Sequence, residues 1–348
     1  MAFDFDFELL QELTETSGAP GYEDRIRNIV RRELDGEVDE IHIDAMGNVV
    51  GTVEGTTDYE VAVPAHMDEI GFMVTHVDDD GFLSIDSLGG WDPRVLRAQR
   101  VTVHTEDEDL TGVIGSMPPH LLDDEDEQEV SDVYIDLGLP AEEAESRVSV
   151  GDIVTMEQTT TRIGEHVTGK ALDDRVCLFA MLEAAKRIEN PDVTIHFCAT
   201  VQEEVGLRGA EALGVDIDPN LAIALDVTVA NDIPGVTKEK DHVTNLGDGT
   251  AIKLKDGSVV TTPKVHRRLR SLAENRDIEY QLEVLPSGGT DTAGFQNTHG
   301  AKPVGAISIP TRYLHTVTES AHGDDVSATI DLLTAFLETE TGEHDYSL

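Results

Sequence analysis

Two textures divide this chain of 348 residues, and their order limits how it can fold more than any single motif does. Near-continuous apolar runs, VAVPAH, TIHFCATV and LAIALDV, occur before residue 69 and after Lys170. Between them lie helical patterns such as DDRVCLFAMLEAAKRI, VHRRLRSLAENRD and ATIDLLTAFLETE. Strands that are apolar at nearly every position are covered on both faces, so this alternation implies an α/β fold, a mixed β-sheet sandwiched by helices. From 69 to 160 the texture changes to short alternating segments, GFMVTHV, GFLSIDSL, QRVTVHT and DIVTMEQ, with one helical signal at PAEEAESRV. The expected organisation is one α/β domain, 1–68 with 161–348, interrupted by a small β-rich domain at 69–160. Near the N-terminus, residues 7–34 read as helical around Gly18–Gly21, with Ile26, Ile29, Val30 and Leu34 on one face, and IHIDAMGNVVGTVEG reads as a hairpin turning at Gly47-Asn48.

Charge excludes whole classes of partner. There are 25 basic and 70 acidic residues, a net charge of −45. Such a surface repels nucleic acid and anionic lipid, so neither is an expected partner. Self-repulsion is relieved by salt, whose Debye length falls to about 3 Å at 1 M, so a halophilic setting is expected. The acidic runs 123–127 and 106–109 read as solvated loops. The start, MAFDFDFELLQEL, lacks the basic region and cleavage site of a signal peptide, and no uncharged apolar run is long enough for a bilayer. A soluble, cytoplasmic protein is expected. Cys177 and Cys198 lie in apolar runs and read as buried, reduced thiols.

Four apolar runs of the α/β part reach a residue able to ligate a metal: VAVPA reaches His66, FCATVQE reaches Glu204, LAIAL reaches Asp226 and AISIPTRYL reaches His315. The carboxyl ends of strands line the ligand crevice of open α/β sheets. A fifth candidate, Asp173 in GKALDDR, opens a buried helix. Singly, each has an ordinary reading: Asp173 as a helix N-cap, the histidines as core or surface residues, Asp226 as the start of a turn. Together, two imidazoles and three carboxylates suit two divalent ions, zinc or cobalt ahead of manganese. Asp173 is the expected bridge, with Asp174 and Arg175 fixing its geometry. Glu203 and Glu204, as neighbours, point apart. If Glu204 ligates, Glu203 is free to act as general base. Asp68, two residues beyond His66, can hold that imidazole in its ligating tautomer.

In the order AHMDEIGFMV, SLGGWDPRVL, GVIGSMPPHL, GKALDDR, VQEEVGLRGA, ALDVT, SGGTDTAGF and IPTRYLHT, the chain resembles the tetrahedral (TET) aminopeptidase family, dinuclear metallo-aminopeptidases long named endoglucanases. The resemblance covers nearly the whole chain. It implies a metallo-aminopeptidase/phosphorylase-like fold whose inserted β-rich module is a dimerisation domain, and assembly of dimers into a hollow tetrahedral homododecamer. It implies further that His66, Asp173 and Asp226 hold one metal and Asp173, Glu204 and His315 the other, with Glu203 the base and Asp68 the catalytic acid. The SGGTD segment, 287–291, matches a motif near the family's site; by itself it reads as a turn and is given no metal role.

The expected activity is hydrolysis of the first peptide bond of short peptides with a free N-terminus, by attack of a metal-bridging hydroxide with Glu203 moving the proton. A glycoside hydrolase of the endoglucanase type needs only the carboxylate pair and leaves both histidines unexplained. A non-catalytic metal-binding scaffold leaves Glu203 without a task.

Overall fold

The computed structural model describes residues 3–117, 120, 129–237 and 241–348. Its apolar runs form a mixed sheet in the order Glu40–Ile43, Val49–Val53, Thr194–Thr200, Glu60–His66, Leu221–Val229, Val304–Arg312, Glu319–His322, His166–Gly169 and Thr161–Ile163. The central four, from Thr194–Thr200 to Val304–Arg312, are parallel, and antiparallel strands extend the sheet on both sides. Glu60–His66 and Leu221–Val229 pair only at Val61 with Leu221 and Ala62 with Ala222. Beyond that point the ladder between them is not continued, and in open α/β sheets the carboxyl ends of such strands line the ligand site.

Two strands, Thr250–Lys255 and Tyr280–Val284, escape the sequence pattern because they carry charge inside. Lys253 and Glu283 are cross-strand neighbours, fully buried and paired with each other. An ion pair of this kind erases the apolar signature that marks the central strands.

Helices cover both faces, as the continuous apolar runs require. Phe7–Glu15, Asp24–Leu34, Leu172–Ala185 and Gly323–Thr339 pack into the main core. Leu172–Ala185 is buried all round, between the sheet and the outer helices, so it shows no polar face. Each of its large apolar side chains contributes about 1.5–3 kcal/mol by burial. Arg175 on this helix is fully buried and donates to Leu13 O at 2.5 Å and Thr16 O at 3.0 Å. It therefore satisfies carbonyls at the end of Phe7–Glu15 and does not fix Asp173, contrary to the expectation from GKALDDR. The opposite face is thinner, with Arg208–Ile217 and Thr292–Gln296 covering Ala62, Cys198 and Ala222. Both cysteines are buried and unpaired.

Residues between the two crossovers build a second body. Six strands close into a barrel in the order Gly71–Val77, Leu83–Leu88, Tyr134–Asp136, Asp109–Ile114, Arg100–His104 and Ile153–Met156. Phe72, Val74, Ile85, Val101 and Val154 fill its separate core. A buried Lys170–Glu69 pair at 2.6 Å joins the exit and entry of the chain, and Arg25 pairs with Asp109 on the barrel. The run 123–127 lies outside the described residues. Among the described residues no helix is long and apolar enough to cross a membrane.

Candidate metal centre

His66 ends the strand Glu60–His66, level with Thr200 of its parallel neighbour. Asp226 sits within Leu221–Val229 rather than at its end, beyond the two residues that pair with Glu60–His66. The first turn of Leu172–Ala185 meets His66, and Asp173 and Asp174 there have non-helical backbone. Asp173 caps no amide of the helix. Its Oδ1 lies 3.2 Å from His66 Nε2 and its Oδ2 3.4 Å from His315 Nε2. One carboxylate thus faces two imidazoles that approach from different elements.

His66, Asp173, Asp174 and Asp226 bring ligand atoms within 4.8 Å of one another, and so do Asp173, Glu204 and His315. Asp173 is common to both groups. Glu204 Oε2 is 3.7 Å from His315 Nε2, while Glu203 Oε2 is 3.9 Å from His66 Nε2 and belongs to neither group. Asp174 is the addition that sequence reasoning assigned only a supporting role. Its Oδ2 accepts from the backbone N–H of His66 at 3.2 Å.

The two glutamates part as neighbours should, and the loop that carries them is tightly held. Asp68, fully buried, accepts from Glu203 N at 3.0 Å through Oδ1 and from Glu204 N at 3.2 Å through Oδ2. Its backbone carbonyl lies 3.1 Å from His66 Nδ1, which leaves Nε2 for the cluster. Asn48 accepts from Val201 N and donates to Gly209 O, pinning both ends of VQEEVGLRG. Gly209 is required there, because a Cβ would fall 2.3 Å from Val201 O. Gln202 and His315, at φ 55° and 58°, occupy the left-handed region, backbone strain of a kind that collects at functional sites.

Glu319 went unnoticed in the sequence, although it stands four residues after His315. Buried, it accepts from Asp173 N at 3.0 Å and from His315 N at 2.8 Å, one carboxylate oxygen to each. Asp291, in the SGGTD turn, is also buried; it accepts from Thr200 Oγ1 and leaves Oδ1 without a partner.

Charge crowding dominates the electrostatics. Burial drives the Glu203, Glu204, Asp174 and Asp226 carboxyls well above their usual range, and neighbouring acids add to the effect. Burial opposes ionisation of Asp173 too, but the two imidazoles outweigh it and hold that group low. His315 is disfavoured as a cation by burial, yet Asp173 and Glu204 push it up to about 10. So many buried acids require compensating positive charge. Two imidazole nitrogens among carboxylates, with Glu204 Oε1 and Asp174 Oδ1 accepting no hydrogen bond from the described residues, form a donor set that fits divalent metal ions.

The chain is similar to known aminopeptidases. The lysyl aminopeptidase of Pyrococcus furiosus is 37% identical over 345 residues, 96% of this chain and 97% of its own length. Aminopeptidase APDkam598 of the archaeon Desulfurococcus kamchatkensis superposes with a TM-score of 0.93 at 40% identity, covering 97% of this chain and 95% of that one. The Pyrococcus horikoshii TET1 peptidase, described as able to assemble into a tetrahedron or a large octahedral shell, gives 0.87 at 34% identity over 96% and 99% of the two chains. The sequence pattern of M42 glutamyl aminopeptidases matches residues 47–332, and the chain belongs to that family.

Proposed function

We propose that the protein is a two-metal aminopeptidase acting on short peptides with a free N-terminus. The observation that carries the reading is Asp173, whose two oxygens face two imidazoles and are shared by both candidate ligand groups. His66, Asp173 and Asp226 hold one ion, with Asp174 alongside, and Asp173, Glu204 and His315 hold the other; zinc or cobalt suits these donors. Ions held by these residues would supply Lewis acidity toward a scissile carbonyl and toward water. Glu203 lies beside the ligands without belonging to them, so it takes the proton and hands it to the leaving amine. Asp68 acts on both halves of this device, because it orients His66 and holds the Glu203 and Glu204 amides.

The surplus of acid in the crevice also favours a substrate that brings a free ammonium group, which supports action at chain ends. The domain boundaries at 68/69 and 160/161, a dimerising role for the barrel, a dodecamer built from dimers and a saline cytoplasmic habitat belong to the same proposal. A glycoside hydrolase leaves His66 and His315 without a task, and a passive metal scaffold leaves Glu203 without one.

The test uses one peptide in two forms, free and N-acetylated, assayed at molar salt before chelation, after chelation and after zinc or cobalt is restored. Loss and recovery of cleavage of the free peptide alone are expected. Equal cleavage of both forms overturns action at chain ends, and turnover that survives complete metal removal overturns the metal mechanism.

A further inference from the structure

The inserted barrel reaches the metal cluster through the loop that follows one of its strands. Its strand Leu83–Leu88 runs into Gly89, Gly90 and Trp91, and this loop lies against His315. The Gly90 carbonyl accepts from His315 Nδ1 at 2.6 Å. A ring held at Nδ1 presents Nε2 outward, and Nε2 is the atom that faces Asp173 and Glu204.

The loop is built for that approach. Gly89 has φ 96°, and a Cβ there would meet Ile70 Cγ2 at 2.4 Å, so a side chain is excluded by both backbone and space. Gly90 has no such backbone need. A Cβ on it would lie 3.0 Å from His315 Nδ1 and 3.3 Å from Cε1, and apart from its chain neighbours no other heavy atom of the described residues lies within 4 Å. Its lack of a side chain therefore serves the imidazole. Trp91 fixes the loop to the barrel: its ring stacks on buried Phe72 at 5.1 Å and its Nε1 donates to Gly71 O at 3.2 Å.

We propose that the Gly89–Gly90–Trp91 loop of the barrel is a positioning element of the metal centre, which sets the orientation of His315 through the Gly90 carbonyl. The barrel is then part of the catalytic apparatus as well as a body available for assembly. His315 is held from two domains, by Glu319 of the sheet domain at its backbone N–H and by Gly90 of the barrel at its ring. Through this contact a shift of the barrel against the sheet domain reaches the His315–Glu204 ligand pair. This inference rests on the two-metal reading above.

Gly90→Ala tests it, because the added methyl meets only the imidazole. Metal-free wild type and variant are titrated with zinc against a competing chelator, and the His315 ring protons are followed by nitrogen-edited NMR on the metal-free protein. The wild type should bind two equivalents and show a downfield, slowly exchanging Nδ1 proton on His315. Gly90→Ala should keep one equivalent at wild-type affinity, lose about 10–100-fold in affinity for the other, and lose that protected proton. Trp91→Phe, which keeps the stack on Phe72 and removes the indole N–H, should weaken the same equivalent to a smaller extent, and serves where Gly90→Ala fails to fold. Two equivalents of wild-type affinity with an unchanged Nδ1 proton in Gly90→Ala overturn the inference. So does equal weakening of both equivalents in either variant. A wild type that binds only one ion overturns the two-metal reading instead, and the Nδ1 proton then still decides whether Gly90 holds His315.

Discussion

Asp173 carries the heaviest demand of any single side chain, since each of its oxygens serves a different histidine. Asp173→Ala should therefore abolish binding of both ions, whereas His315→Ala should weaken one and leave the other. Metal content per chain checks this, and one full equivalent retained by Asp173→Ala rejects the bridge. Glu23 is buried, and desolvation, with repulsion from Asp68 adding to it, raises its carboxyl from 4.5 to about 7. Near pH 4 folded and unfolded chains both hold this proton and the residue costs nothing. Between 4.5 and 7 the unfolded chain ionises first, so stability falls as pH rises, and above 7 the cost reaches about 3 kcal/mol. Glu23→Gln should match wild type near pH 4 and exceed its stability by about that amount at pH 8. Denaturant titrations in molar salt at several pH values measure the gap, and a constant gap contradicts the assignment.

Elements explain how much could be read in advance. Strands such as VAVPAH and LAIALDV were legible because burial on both faces writes an unbroken apolar run, and their endpoints led to His66 and Asp226. Thr250–Lys255 and Tyr280–Val284 were not, because Lys253 and Glu283 cancel each other inside the fold while reading as exposed residues in the sequence. Glu319 and Gly90 escaped for another reason: each acts on His315 or Asp173 through backbone groups brought together only by folding. Arg175 was misread on the same ground, since proximity in sequence pointed to Asp173 while its guanidinium closes the end of Phe7–Glu15. Both bonds come from one guanidinium nitrogen, which Arg175→Met removes while keeping the bulk of the side chain. That substitution should speed amide hydrogen exchange in Phe7–Glu15 and leave Leu221–Val229 protected; equal acceleration in both elements argues against a local tie.

For the whole molecule, a net charge of −45 opposes the approach of further copies far more than it disturbs a buried cluster. Lowering salt from molar to about 0.1 M lengthens the Debye length from about 3 to about 10 Å. Oligomers should then dissociate before metal is released, as followed by light scattering and metal analysis on the same samples. Metal loss at constant particle size would place the salt dependence in the site. The central claim remains the division of labour in VQEEVGLRG, where Glu204 reaches the ligand group and Glu203 stands 3.9 Å from His66 Nε2 outside it. Metal content and peptide hydrolysis measured together on Glu203→Gln test that claim most directly. The account predicts two ions retained and kcat lowered by about 10²–10⁴, the usual contribution of a general base. Parallel loss of metal and activity, or full activity with both ions bound, would contradict it.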